Sequence, residues 1–284
     1  MSTPQPAAER FRRWATNLIT HHLTHGVPDG SAVGEVYQSS TIGALLDGVY
    51  DGNVSIAEIL RHGDFGLGTF NHLDGEMVIL DGICYHLRAD GTATQAAPTD
   101  LTPFAAVTRF RTDFEIPIRS ISDQADVTSG IDAKIATENL IYAIRITGHF
   151  ATLHTRTVMA QTRPYPPLTK ATEGQAETVF TDVEGTLAGF RTPDFEQGIS
   201  VAGYHLHFLN SDRTGGGHVL DFRIDRGRVA VSTASELHLS LPTSGPFLQA
   251  KLAGTGLSEQ IRRSEGGAPD ESHQPQTNPG RQTL

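Results

Sequence analysis

Cysteine is almost absent from this chain: Cys84 stands alone among 284 residues. One thiol cannot close an intramolecular disulfide, so the fold must rest on packing. Cys84 itself reads as a small buried hydrophobe rather than a nucleophile. Positive charge is scarce too. Lys and Arg number 22 against 32 Asp and Glu, a net charge of −10. That balance argues against nucleic acid or an anionic membrane as partner, because phosphate recognition draws on clustered positive charge. The one basic cluster, Arg10, Arg12 and Arg13, is too small to reverse it. Long apolar runs are also missing, and no stretch approaches the roughly 20 apolar residues that span a bilayer. The opening MSTPQPAAERFRRW lacks the apolar core of a secretory signal, so a cytoplasmic location is the expectation. Gly66-Leu67-Gly68 is too short for a nucleotide loop, and neither a Walker nor a dinucleotide fingerprint occurs.

What is present describes a globular protein: 38% hydrophobic and 19% charged residues. The length suffices for one large domain or two modest ones. Residues 1–30 form an N-terminal extension with a helix expected from Glu9 to His25, its apolar positions Phe11, Ala15, Leu18, Ile19 and Leu23 falling at helical spacing. Residues 267–284 are rich in Pro, Gln, Ser and Gly, and a disordered tail is expected. Between them the pattern predicts an α+β fold of two β-rich, mixed or antiparallel subdomains, one a sheet and one barrel-like, with a few short helices. The boundary is expected near Pro164, Pro166 and Pro167, dividing 31–165 from 166–266.

Short helices are expected over Ile42–Tyr50 and Ser55–His62, the second opened by Ser55 with Glu58 three residues on. Gly66–Asn71, Glu76–Leu80 and Ile83–Arg88 are short apolar runs separated by Asp74-Gly75 and Asp81-Gly82, punctuation that predicts an antiparallel meander. Strands are expected at Leu140–Ile146, Thr152–Met159, Val183–Phe190, Val201–Phe208, His218–Ile224 and Arg228–Thr233, and a last helix at Leu257–Ser264.

The sharpest chemical signal is His205-Leu206-His207. On a strand, side chains alternate with period two, so both imidazoles leave the same face. A turn-rich stretch from Asn210 to Gly217 follows, then His218. A hairpin centred near Asp212–Arg213 sets His207 opposite His218, with Cβ atoms about 5 Å apart. Three converging imidazoles can hold one divalent metal, and three protein ligands with an open position describe a catalytic rather than a structural zinc. On spacing alone, a pair of surface histidines stays open beside this reading. His21, His22 and His25 read as solvated surface, and His62, His72, His86, His149 and His238 lack spaced partners.

Two charged residues sit in apolar surroundings. Glu76 opens the run Glu76-Met77-Val78-Ile79-Leu80. It is either exposed at a strand end or buried with a partner, and the pattern alone favours the exposed end. Arg156, in Leu153-His154-Thr155-Arg156-Thr157, is either a surface residue or one that grips a carboxylate.

The motifs around these residues resemble the acetolactate decarboxylase family. The resemblance runs in order over about residues 33–266, through YQSST (37–41), HGDFGLGTFNHLDGEMV (62–78), YAIRI (142–146), HTRTV (154–158), RPYPPLT (163–169), GFRTP (189–193) and GYHLHFLNSDRTGGGHVLDF (203–222). It implies a two-part α+β protein, often a homodimer, with zinc between β-rich halves. It implies the conversion of 2-acetolactate, a 2-hydroxy-3-oxo acid, to (R)-acetoin and CO2. Carried over motif by motif, His205, His207 and His218 are the ligands, and Glu76, Arg156 and Glu265 are the acid/base and substrate-binding groups. Thr69 of GTF lines the pocket. The segments before residue 30 and after 267 have no counterpart in the resemblance. A zinc ion acting as Lewis acid would stabilise the enediolate left by CO2 loss, so no thiamine, pyridoxal or other organic cofactor is implied. A cupin-like metal oxygenase or hydrolase using the same histidines, and a non-catalytic module with a structural metal, are the competing readings.

Overall fold

The computed structural model describes residues 34–243, 245–252 and 256–265, all within the unit Gly34–Leu284. The helix expected over Glu9–His25 and the tail expected over 267–284 lie outside these residues.

Seven strands build the first sheet, in the order β15-β1-β8-β3-β4-β5-β6. They are β1 (Glu35–Ser39), β3 (Phe65–Thr69), β4 (Glu76–Leu80), β5 (Ile83–Leu87), β6 (Ala93–Gln95), β8 (Phe104–Thr108) and β15 (Glu236–Ser240). The expected meander is β3-β4-β5, antiparallel throughout. β15 runs parallel to β1, which makes the sheet mixed. A two-stranded ribbon pairs β2 (Val54–Ser55) with β7 (Leu101–Thr102).

The second sheet holds β9 (Phe114–Ile118), β10 (Ser122–Asp123), β11 (Ile141–Thr157), β12 (Ala176–Thr192), β13 (Gly203–Asn210) and β14 (Gly216–Ala234). Adjacent expected strands fuse here into continuous ones of 17 and 19 residues, β11 and β14. β11 pairs with β12, β12 with β13, β13 with β14, and β14 with β11. The four close on themselves, as the barrel-like half requires. With the short helices added, the fold class is α+β.

The division expected at residue 165 does not match this pairing. β11 ends before the proline cluster yet lies in the second sheet, and β15 comes from the C-terminal portion yet joins the first. The prolines interrupt hydrogen bonding only in the loop between β11 and β12, which are neighbours in one sheet. A proline-rich loop ends a strand; it does not mark where strands change partners.

The helices are brief. α1 (Ile42–Leu46) is buried on every side and capped by Thr41, whose hydroxyl accepts from Ala44 N–H. It stops short of the expected Tyr50, because Gly48 takes a left-handed φ of +84° that ends the turn. α2 (Ile56–His62) begins at Ser55, whose hydroxyl accepts from Glu58 N–H. α3 (Gln124–Asp132) covers the second sheet, while α4 (Leu168–Ala171), α5 (Gly245–Gln249) and α6 (Leu257–Glu265) complete the set.

The central core lies between the sheets. Leu67, Val78, Leu80 and Ala106 of the first meet Ala143, Ala188, Phe190 and Leu209 of the second, with Leu45, Leu168 and Ile261 closing the cluster. Inner-face residues near the ends of β3, β4, β11, β13 and β14 therefore converge, which is where the chemistry collects.

Candidate functional site

His205 and His207 lie on β13 and His218 on β14, with His207 directly opposite His218 as the hairpin predicts. The three ring centroids are 5.0 to 5.3 Å apart, and one nitrogen from each ring lies within 4.8 Å of the others. Among the described residues, no such cluster occurs elsewhere in the fold. Gly216 permits the approach: a Cβ there would stand 2.1 Å from the Phe208 carbonyl oxygen.

Backbone carbonyls settle which nitrogens face inward. His207 Nδ1 donates to Met77 O at 2.7 Å, and His218 Nε2 donates to Glu265 O at 2.9 Å. Each bond places the proton on the outer nitrogen, leaving His207 Nε2 and His218 Nδ1 as bare lone pairs. His205 Nε2 and His207 Nε2 are buried without any hydrogen-bond partner. Burial also pushes the rings toward neutrality: His205 is lowered to about 3, with Arg156 adding to the effect, and His207 and His218 fall well below the usual value. Neutral imidazoles with unpartnered nitrogens aimed at one point fit a divalent cation.

Arg156 shares this face. It stands opposite His218 across the β11–β14 ladder and is 3% exposed. Its Nη1 donates to Gln175 Oε1 at 3.0 Å and its Nη2 to Glu265 Oε2 at 3.4 Å, while Nε has no partner. Glu265, at the end of α6, also sets Oε2 3.6 Å from His205 Nε2 and 3.7 Å from His218 Nδ1. Burial raises its carboxyl, against the pull of Arg156.

Glu76 is the clearest correction to the residue pattern. It is 8% exposed rather than free at a strand end, with Oε2 3.6 Å from His207 Nε2. Burial raises its carboxyl to about 8; Arg156 and the Val158 N–H oppose the shift and Glu265 adds to it. The alternation along β4 explains the position: Glu76 shares a face with Val78 and Leu80, which pack into the core between the sheets. Thr69 is its register partner on β3, and Thr69 Oγ1 donates to Gly75 O at 2.7 Å. Gly75 takes a φ of +77°, and a Cβ would lie 2.1 Å from Leu87 O, so this tight turn demands glycine. His86 braces the same turn by bonding Asp74 O and stacking on Phe70.

A small cavity, open on one side, joins these groups. Its lining includes Thr69, Glu76, Arg156, His205, His207 and Glu265, so the structure brings the residues singled out in the sequence together, with His218 against them. The sequence reading missed Phe104, Leu168, Thr172 and Ser264 on the wall, as well as Gln175 behind Arg156. Ser264 carried one usable signal, its helical spacing from Leu257 and Ile261; the rest depend on long-range pairing. Other histidines among the described residues serve local contacts: His62 stacks on Tyr37, His72 bonds Tyr165, and His149 lies between Asp182 and Asp225. Cys84 is buried, as expected.

Comparison with known proteins shows the family of the chain. The family model for alpha-acetolactate decarboxylase matches residues 36–254. The alpha-acetolactate decarboxylase of Methylococcus capsulatus is 46% identical over 238 residues, covering 84% of this chain and 91% of that protein. That of Klebsiella aerogenes is 45% identical, covering 81% and 88%. The crystal structure of alpha-acetolactate decarboxylase from Bacillus subtilis strain 168 superposes with a TM-score of 0.81 at 42% identity, over 82% of this chain and all of the other. Glu265 falls beyond the matched span, so its place in the site rests on the contacts above. With likeness of sequence and fold extending over more than four-fifths of its length, this chain belongs to the alpha-acetolactate decarboxylase family.

Proposed function

We propose that this chain decarboxylates 2-acetolactate to (R)-acetoin and CO2, with a zinc ion held by His205, His207 and His218. The observation that carries the reading is the convergence of three imidazole nitrogens, from His205, His207 and His218, with two of those rings lining one cavity beside Glu76, Arg156 and Glu265. When bound, such an ion supplies Lewis acidity that favours negative charge on a neighbouring ketone or hydroxyl oxygen.

The protein's own groups divide the remaining work. Arg156 receives the substrate carboxylate, with Gln175 and Glu265 fixing its guanidinium. The bond to the carboxylate carbon breaks, CO2 departs, and the electron pair passes toward the adjacent ketone. A proton must then reach, from one side, the carbon that had borne the carboxylate. Arg156 is a poor donor because a guanidinium is hardly ever deprotonated. Glu265 is engaged with Arg156, whereas the Glu76 carboxyl lies across the cavity against His207, and we assign proton delivery to Glu76. Delivery from this single side yields one enantiomer. Thr69 shapes the wall beneath the substrate and holds the turn that presents Glu76. No organic cofactor is required, because the substrate's own ketone accepts the electrons. A homodimer and a cytoplasmic location complete the proposal; among the described residues, no helix is long and apolar enough to cross a membrane.

Metal analysis of the purified protein, coupled to chiral quantification of acetoin from racemic 2-acetolactate, tests both halves at once. One zinc per chain with (R)-acetoin formation is the expected result. Acetolactate turnover unchanged after complete metal removal would sink the metal assignment.

A further inference from the structure

Ser264 is fully buried on the inner face of α6, one residue before Glu265, and lines the same cavity as Glu76, Arg156 and His205. A serine or threonine inside a helix ordinarily returns its hydroxyl to a carbonyl three or four residues back. Thr128 does so in α3, bonding Gln124 O at 3.0 Å, and Thr172 does so after α4, bonding Leu168 O at 3.1 Å. Ser264 does not: its Oγ is buried with no hydrogen-bond partner. An orphaned buried hydroxyl costs stability that an alanine would avoid.

A second orphan lines the same cavity. With Nη1 of Arg156 on Gln175 and Nη2 on Glu265, its Nε is the donor left without a partner. Two unpartnered donors, one cationic and one hydroxyl, suit the two oxygens of a carboxylate. We infer that Ser264 is a substrate-binding residue whose Oγ–H donates to the carboxylate of the 2-hydroxy-3-oxo acid, beside Arg156 Nε; this rests on the function proposed above. The carboxylate is present in the substrate and lost from the product, so the contact belongs to substrate binding more than to the later proton transfer. The acyl part of the substrate and the released acetoin make no use of it.

The test is Ser264→Ala, assayed with the metal-loaded protein on 2-acetolactate, with acetoin as an inhibitor lacking the carboxylate. Loss of one charge-assisted hydrogen bond is expected to raise KM about tenfold or more. Turnover stays within about threefold, acetoin inhibition is unchanged, and Tm is equal to or above that of the wild type, because no folding contact is lost. Ser264→Cys, which keeps the shape with a weaker donor, falls between the two, and it decides the matter if the alanine variant does not fold. A KM matching that of an active wild type overturns the assignment of Ser264 alone. A variant that weakens acetoin and acetolactate equally also overturns it, since the hydroxyl then shapes the wall without reading the carboxylate. A wild type that releases no CO2 overturns the proposed function and this assignment with it.

Discussion

Arg156 on β11 stands directly opposite His218 on β14, and this pairing depends on irregularities in the ladder between them. Tyr142, Ile144, Ile146 and Phe150 belong to the core on the far side of the second sheet, and so does Leu153, three residues past Phe150. Strict alternation would put Phe150 and Leu153 on opposite faces. The register slips between Phe150 and Thr152, where β11 carries one extra residue, Ala151. Beyond that slip, even-numbered residues turn inward, and Arg156 with them. A matching slip between His154 and Thr155 leaves Leu220 unpaired on β14 and turns His218 to the same side.

Removing a ligand ring is expected to abolish the metal centre. His205→Ala, His207→Ala and His218→Ala should each lose bound metal on dialysis and drop CO2 release to background. Elemental analysis read beside activity checks this, and a variant that keeps a full complement of metal would remove that ring from the ligand set.

Glu76→Gln separates proton delivery from metal binding. The substitution keeps the shape of the side chain and leaves the three rings untouched, so metal content should stay near one per chain. Turnover is expected to fall about 100-fold or more, in the usual range for a lost general acid. Wild-type turnover would take Glu76 out of the mechanism.

Gln175 touches Arg156 at 3.0 Å. Gln175→Leu frees Nη1 and loosens the guanidinium, so KM should rise by roughly tenfold, the scale of one hydrogen bond to a charged group. The conservative Gln175→Glu, which keeps an acceptor at the same place, should recover most of it. Steady-state kinetics on the pair provide the comparison; equal KM for the leucine variant and the wild type would contradict the role.

In the metal-free protein, stability should respond to pH through two opposed sets of groups. His205 is lowered from 6.5 to about 3, so the unfolded chain binds protons first as pH falls below 6.5, and stability is lost on the way toward 3. His207 and His218 act in the same direction. Glu76 is raised from 4.5 to about 8, so the folded state keeps a proton that the unfolded chain gives up, and its contribution is lost as pH rises from 4.5 to 8. Glu265 acts with it. The Tm of metal-free Glu76→Gln, measured against the wild type, should therefore climb steadily between pH 5 and 8. A difference that stays flat with pH would show that Glu76 is ionised in the fold.

Much of this site is legible in the amino-acid sequence. The hairpin register follows from counting residues about Asp212–Arg213, and it sets His207 against His218. The Asp-Gly turns delimit β3, β4 and β5 for the same local reason. What was not legible depends on contacts far apart in the chain. Glu76 has the pattern of a strand end because nothing in its neighbourhood announces that the second sheet covers it. Gln175 follows a proline-rich loop and has no periodic signature. The membership of β11 in the second sheet is decided by its partners, not by its own residues.

The facing of Arg156 is stored in a length rather than in a chemistry. Residues 151 to 155 separate Phe150, on the far-side core, from Arg156, in the cavity. The face on which Arg156 emerges follows from the number of residues in that span and the bulge it contains, not from the identity of the exposed side chains, such as Thr152, along it. A relative that gains or loses a single residue there must gain or lose a bulge to match. Over this short span a change of spacing turns the guanidinium to the other face, so an alignment gap there marks a candidate change of activity even where the exposed residues around it are alike.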